Sequence, residues 1–330
     1  MSAGKANGMS GRIVTVFGGS GFIGRHVVRE LAKRGYRVRA AVRHPSKAGF
    51  LRTMGLPGQV EPVYADIRND ELVARALHGA DMAVNLVGIL YEFGKQRFEA
   101  LQAEGAGRIA RLAKEAGVAS LVHVSAIGAD AASEADYARS KAEGETAVHA
   151  AFPEAVILRP SIVFGPGDGF FNRFAAMAKY LPALPLFGGG HTKFQPVYVD
   201  DVADAVCAAL TDEASHGKVF ELGGPRVYSF KELMQIVLKE TRRTRLLLPL
   251  PWAIAKMQGA VLGLLPAPPL TLGQVKMLQH DNVVSEAADA EGRTFAAFGI
   301  APDSVEAIVP GYLWAYRRTG QYGGGVNART

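Results

Sequence analysis

Apolar positions in the first half of this chain switch repeatedly between two periods. Short, nearly continuous apolar runs rich in β-branched residues predict buried strands at Ile13–Phe17, Arg37–Val42, Val60–Tyr64, Met82–Leu86, Ser120–Val124 and Val156–Ile162. Between them, apolar residues recur three to four apart and predict helices over about 22–34, 69–78, 95–116 and 134–151. In the first of these, Phe22, Ile23, Val27, Val28 and Leu31 share one face. Strand and helix alternate from residue 12 to about 165. That order predicts an α/β class, a doubly wound parallel sheet with helices on both faces. Right-handed crossovers would then align the strand C-termini along one edge, where a ligand sits.

The texture changes after residue 165. Gly165-Pro166-Gly167-Asp168-Gly169 and Gly188-Gly189-Gly190 read as loops, while Pro182, Pro185 and Pro196 interrupt any long helix. Val219–Leu222 reads as a strand returning to the sheet, and 228–312 as helical segments separated by proline clusters. The expected organisation is a flexible N-terminus at 1–11, a nucleotide-binding domain at 12–165 that takes the strand near 219–222, and a C-terminal tail at 316–330. Between them, 166–315 forms a smaller, mostly helical domain, interleaved with the sheet and closing over the nucleotide. Within it the run from Leu246 to Leu265 is strongly apolar. Pro249, Pro251, Lys256 and Gln258 argue against a membrane-spanning helix. The run reads as a core helix of the small domain; Arg242, Arg243 and Arg245 ahead of it, with Trp252, leave a lipid headgroup contact through 242–265 as the other reading.

Composition narrows the class further. With 48% hydrophobic and 21% charged residues among 330, the chain is an ordinary globular protein able to bury a large core. Its single cysteine, Cys207, excludes an internal disulfide and a cysteine-based metal cluster. It falls in the helical pattern Val202, Val206, Cys207, Leu210 and reads as a small buried residue. The eight histidines show no metal-ligand spacing, so no metal site is expected. The net charge of +6 is scattered and carries no nucleic-acid motif, so nucleic acid is not an expected partner. Residues 1–11 lack the apolar core of a secretory signal, so a cytoplasmic location is expected.

The chemistry begins where the first strand breaks into Gly18-Gly19-Ser20-Gly21-Phe22-Ile23-Gly24. A strand, a G-x-x-G-x-x-G turn and an amphipathic helix form the phosphate corner of a Rossmann-type dinucleotide fold. Gly18 permits the tight turn, Gly21 the approach of a pyrophosphate, and Gly24 the packing of helix on strand. The amides at the helix start face the phosphate oxygens. Folds that bind NAD usually place an acid after the second strand, yet here Val42-Arg43-His44 follows, and no Asp or Glu occurs between Glu30 and Glu61. A guanidinium binds a 2′-phosphate in a fork where a carboxylate would repel it, so NADP(H) is the expected cofactor, with Arg43 as its reader. The other strand ends supply the rest of the expected cleft: His44 and Lys47, Asp66 and Ile67, Leu86, Val87 and Gly88, Val124, Pro160 and Ile162. Asp66 is placed to accept from the adenine amino group, or else to cap the helix from Asn69.

Tyr137 and Lys141 stand four apart, hence on one helix face, twelve residues after Ser125 at the end of the fifth strand. An ammonium about 4 Å from a phenol offers up to ~4 kcal/mol, enough to turn the tyrosine into a usable acid–base. Ser125 would polarise a carbonyl. With these residues and the glycine turn, the chain resembles a short-chain dehydrogenase/reductase of the extended or atypical kind. Leu158 to Pro166 and Gln195 to Ala203 resemble further motifs of that family, so the likeness covers nearly the whole chain. Within it, His123-Val124-Ser125-Ala126, Tyr137 to Lys141 with Gly144-Glu145, Phe152 to Ala155 and Gln195 to Val199 are similar to one branch, the nucleotide-binding accessory subunits of respiratory complex I and their bacterial relatives.

The branch resemblance implies tightly held NADPH with no or slow turnover. It also implies partners in the hydrophilic arm of complex I near the quinone site, and a peripheral position on the cytoplasmic face of the inner membrane. Two departures from active members point the same way: Ala126 replaces a second hydroxyl after strand five, and Gln102 stands near where an asparagine completes a proton relay. The alternative is a free NADP(H)-dependent reductase, epimerase or dehydratase acting on a sugar nucleotide or a hydrophobic carbonyl. A regulatory sensor of NADPH occupancy would use the same binding residues.

Overall fold

A seven-stranded, all-parallel sheet organises the first half of the chain in the computed structural model, which describes residues 11–266 and 268–320. Its strands are β1 (Ile13–Phe17), β2 (Arg37–Val42), β3 (Val60–Tyr64), β4 (Met82–Asn85), β5 (Ser120–Val124), β6 (Val156–Pro160) and β7 (Val219–Leu222). Their spatial order is β7-β6-β5-β4-β1-β2-β3, so the winding reverses between β1 and β4. Open parallel sheets bind ligands at the carboxyl ends of the strands where the order reverses. Register sharpens the point, since Phe17 at the end of β1 stands beside both Ala41 of β2 and Asn85 of β4. Helices cover both faces, so β4 and β5 are buried at every position, as their apolar runs require.

The helices are α1 (Phe22–Lys33), α2 (Asp70–Leu77), α3 (Glu104–Glu115), α4 (Asp136–Ala151) and, next to the returning strand, α6 (Val199–Ala209). The long helix expected over 95–116 is two pieces: a π-helical turn, Glu99–Ala103, running into α3. A side chain at Gly144 of α4 would put its Cβ 2.1 Å from the carbonyl oxygen of Gln102, within that turn. Helix and turn therefore approach backbone to backbone. Behind them Arg159 of β6 holds Glu145 of α4 through two bonds of 2.6 and 2.9 Å and lies 3.7 Å from Glu221 of β7, joining three elements. On the other face His26 of α1 meets Asp200 of α6 at 2.5 Å.

The chain divides into two units, 1–160 with 200–222 and 285–300, and 161–199 with 223–284 and 301–330. The division falls at Pro160 rather than 165, and 285–300 go with the sheet instead of the smaller domain. Strand six likewise stops at Pro160 instead of Ile162, and β4 stops at Asn85 instead of Leu86. The second unit has a core of Phe164, Phe171, Phe187, Phe194 and Phe230 with Leu184, Leu233 and Met234, and includes α5 (Phe171–Tyr180) and α7 (Phe230–Glu240).

In that unit Leu246–Leu250 is a strand paired in parallel with Ala183–Phe187, a pairing that no local pattern announces. It leads into α8 (Trp252–Leu262), which buries only Ala255 and Gly259 fully. Ile254, Met257, Val261, Leu264 and Leu265 are exposed, Leu264 to 86%, so the core-helix expectation fails. The helix packs through Ala255, Gly259 and the half-buried Trp252, and leaves its larger aliphatic side chains outside. Among the described residues no helix is long and apolar enough to cross a membrane. The start of the expected tail is bonded into this unit. Tyr316 donates to Asn172 at 3.0 Å, and Arg317 to the Glu240 carbonyl at 2.7 Å, so both pack within this unit. Residues 1–10 and 321–330 of the expected N-terminus and tail lie outside the described residues.

The contact at Gly144 leaves no room for a methyl group. Gly144→Ala should lower the unfolding free energy by about 1–3 kcal/mol, as overpacking does. Urea denaturation with an unchanged midpoint would contradict the close approach.

Candidate functional site

The glycine turn behaves as its spacing predicts. Gly18 has φ +81°, which L side chains rarely adopt, and its amide donates to the Ala41 carbonyl at 3.1 Å, binding the turn to β2. A Cβ at Gly24 would lie 2.2 Å from Gly18 O, so α1 can start against the turn only with glycine there. Gly21 is the N-cap of α1 and offers no side-chain bond, and the first bond of the helix runs from the Arg25 amide to Gly21 O. The preceding amides of the first turn, Phe22, Ile23 and Gly24, are those a helix leaves to an anion.

A cleft of about 200 Å³ opens over this turn. Of the residues expected at the cofactor, Gly18, Ser20, Gly21, Arg43, Asp66, Ile67, Leu86, Val87 and Gly88 line it. Ala41, Val42, Ala65, Ile89, Gln96 and Leu101 line it too, and these the sequence reading missed. Position at the strand ends could have found the first three. Gln96 had no signal, because it sits on a turn well beyond β4. His44 and Lys47 are exposed beside the 3₁₀ turn Pro45–Met54, of which His44 is the N-cap. Ile162 belongs to the second unit, where it packs against the aromatic core.

Charge at the rim where β2 and β3 end is arranged by two arginines. Arg43 donates to Gln96 Oε1 at 3.0 Å. Asp66 is gripped by Arg68, whose Nε and Nη2 donate to its two oxygens at 2.9 and 2.5 Å and whose amide adds a third bond at 3.1 Å. These bonds, with the Arg43 charge, hold the Asp66 carboxyl below its usual range. The helix-cap alternative for Asp66 is wrong: Asn69 itself caps α2, accepting from the Leu72 amide at 3.0 Å.

Below the cleft lies a buried polar group at the ends of β4 and β5. Lys141 Nζ donates to the Val124 carbonyl at 3.2 Å, and burial pulls its ammonium down to about 8 despite the raising effect of Glu145. His123 is pushed down to about 3, first by burial and then by the Lys141 charge, and pairs through Nδ1 with Asn85 at 3.1 Å. Gln102 Nε2 donates to Ser140 at 3.1 Å. Ser125 Oγ, Gln102 Oε1 and His123 Nε2 are buried without a partner in the structure. A Cβ at Gly88 would sit 3.4 Å from Lys141 Nζ and 3.5 Å from Gln102 Oε1, so both atoms border the floor beneath that glycine. Gln102 Oε1, unpartnered among the described residues, and Lys141 Nζ beneath Gly88 fit a polar ligand such as a ribose with its hydroxyls.

Tyr137 packs edge to face on Phe98, ring centroids 6.0 Å apart. Burial raises its hydroxyl to about 12. The expectation that Lys141 lowers it is not met, since burial dominates both groups and disfavours both charged forms.

The sign of the lysine effect makes a test. A Lys with a depressed folded pKa binds fewer protons folded than unfolded between about pH 8 and its ordinary 10.5. Stability therefore rises with pH through that window. Relative to Lys141→Met, the wild type should gain stability from pH 8 to 10 in paired urea titrations. Parallel curves would show that Lys141 is solvated.

Residues 14–223 match the model of the "NAD dependent epimerase/dehydratase family". A subunit of Arabidopsis thaliana, "NADH dehydrogenase [ubiquinone] 1 alpha subcomplex subunit 9, mitochondrial", is 36% identical over 96% of this chain and 81% of its own length. Its namesake from Mus musculus is 37% identical over 81% of this chain and 71% of its own. Among solved structures, UDP-glucuronic acid 4-epimerase from Bacillus cereus, in complex with UDP-glucuronic acid and NAD, superposes with a TM-score of 0.63. It covers 87% of this chain and 99% of that one at 22% identity, a likeness of fold. The chain belongs to the NAD-dependent epimerase/dehydratase family of nicotinamide-dinucleotide folds and, within it, to the relatives of complex I alpha subcomplex subunit 9.

Proposed function

We propose that this protein is an accessory subunit of complex I that holds NADPH as a structural ligand, with no or slow turnover. One observation carries the reading: the likeness to the Arabidopsis complex I subunit runs through 96% of the chain and 81% of the subunit, spanning both units described above. Gly18, Ser20, Gly21 and the first turn of α1 would hold the pyrophosphate. Arg43, flanked by His44 and Lys47, would meet the 2′-phosphate. Asp66 and Ile67 would border the adenine, and Lys141 with Val124 and Pro160 would lie toward the nicotinamide ribose. When bound, the nicotinamide ring supplies hydride chemistry.

The chain's own acid–base parts argue against rapid use of that chemistry. A tyrosinate base needs a lowered phenol, yet burial holds Tyr137 up at about 12. Ser125 keeps its hydroxyl but is followed by Ala126, and Gln102 spends one end on Ser140. The persistence of Tyr137 and Lys141 favours, as a second reading, a free NADP(H)-dependent reductase, epimerase or dehydratase.

For partners, the reading places the chain on hydrophilic-arm subunits near the quinone site, at the cytoplasmic face of the membrane. The 242–265 segment supports lipid headgroup contact. No acidic residue occurs between Glu240 and Asp281, while Arg242, Arg243, Arg245, Lys256 and Lys276 do, beside the exposed apolar side chains of α8.

In calorimetry NADPH should bind at least about tenfold tighter than NADH, the worth of one charge-assisted bond. Arg43→Glu should erase that preference, and Gly21→Asp should eject the nucleotide; equal affinities in the unmutated protein would end the NADPH assignment. Tagged protein should co-purify with complex I from native membranes, and recovery as a lone monomer would refute the subunit reading. Oxidation of NADPH by small carbonyl compounds should be negligible. Robust turnover abolished by Tyr137→Phe would establish the second reading in its place. Met257→Asp with Val261→Asp should weaken binding to phosphatidylglycerol-containing vesicles, and unchanged binding would remove lipid from the partners.

A further inference from the structure

The turn Phe93–Gln96 is pinned across the adenosine end of the cleft by the two arginines that stand there. Arg43 Nη1 donates to Gln96 Oε1 at 3.0 Å, and Arg68 Nη1 donates to the Lys95 carbonyl at 3.1 Å. The turn is closed on itself by reciprocal backbone bonds, Phe93 N to Gln96 O at 3.1 Å and Gln96 N to Phe93 O at 3.0 Å. Glu92 braces it from outside, accepting from the Phe98 amide at 2.8 Å and from Arg97 at 3.1 Å. Beside it, Leu90 and Phe93 are exposed to 60% and 54%.

The two arginines differ in what neutralises them. Arg68 is matched by both oxygens of Asp66. Arg43 meets only the neutral amide of Gln96 and forms no ion pair among the described residues. A guanidinium that lines a cleft with no carboxylate bonded to it is the group that an entering anion will take. One of its five N–H donors is used on Gln96, which leaves the others for phosphate oxygens. The Gln96 amide, its oxygen committed to Arg43, has donors only at its other end. Both side chains line the same cleft, so a dianion on Arg43 lies beside that amide.

We propose that Gln96 is a second specificity-determining residue for the 2′-phosphorylated nucleotide. Arg43 and Gln96 together receive the phosphate, and through their bond the phosphate holds the Phe93–Gln96 turn shut. The proposal rests on the NADPH reading and deepens it. NADH brings no anion to this position, so it leaves the turn held by the arginine bonds alone. The loop carrying Leu90 and Phe93 then differs between the two nucleotide states.

The test uses the full-length protein, with affinities for NADPH and NADH and hydrogen–deuterium exchange across 88–98. Exchange at 93–97 should be roughly tenfold slower with NADPH than with NADH, the equivalent of one charge-assisted bond. Gln96→Ala should abolish that difference and reduce the NADPH preference. Gln96→Glu separates recognition from tethering. Its carboxylate would grip Arg43 more firmly, so a mere tether would keep the preference, whereas repulsion of the phosphate should lower it by at least about tenfold. A protein that prefers NADPH, and keeps both the preference and the exchange difference in Gln96→Glu, overturns this proposal and leaves the NADPH reading intact. Equal affinities in the unmutated protein overturn that reading itself.

Discussion

The close approach of α1 to the glycine turn is the constraint on which the site depends. With 2.2 Å between Gly18 O and the place of a Gly24 Cβ, the helix can begin against β1 only where side chains are missing. That contact aims the first-turn amides into the crevice where the strand order reverses, between β1 and β4. The same geometry brings Arg43, Asp66 and Leu86 to one rim, because β2, β3 and β4 end level with β1. The floor and the rim of the cleft thus follow from one backbone contact and a register.

Burial decides the chemistry at the other end. Lys141, His123 and Tyr137 are each driven toward their neutral forms, to about 8, 3 and 12. At neutral pH His123 and Tyr137 are uncharged while Lys141, at about 8, still carries most of its charge, so the floor offers partly unsatisfied polar groups around one cation. Asn85, Gln102 and Ser140 tie this floor to β4, the π-helical turn and α4. Binding parts so tied, with an unactivated phenol, are consistent with a retained nucleotide.

The second unit solves a different problem. Its aromatic core is built from α5, α7 and the strand pair Ala183–Phe187 with Leu246–Leu250, while α8 spends only Ala255 and Gly259 on packing. The exposed Ile254, Met257 and Val261 of α8 form the kind of apolar patch that marks interaction surfaces. In sequence, no acid occurs between Glu240 and Asp281, the charge pattern on which the proposed headgroup contact rests.

Local sequence by itself determined the parallel sheet, the glycine corner and the basic end of β2. Each rests on interactions between near neighbours: period-two and period-3.6 burial, a φ reserved for glycine at Gly18, and a charge at a strand end. The Tyr137–Lys141 spacing was equally legible, but its electrostatics were not, because a pKa depends on what surrounds a group rather than on its place in the chain. Only tertiary structure brought Gln96 to Arg43 across fifty-three positions. It likewise paired Leu246–Leu250 with Ala183–Phe187 and left α8 exposed, outcomes that hydrophobicity alone reads as core. Those facts turn on which surfaces meet after the chain folds, and long-range contact leaves no periodic trace in the residues that make it.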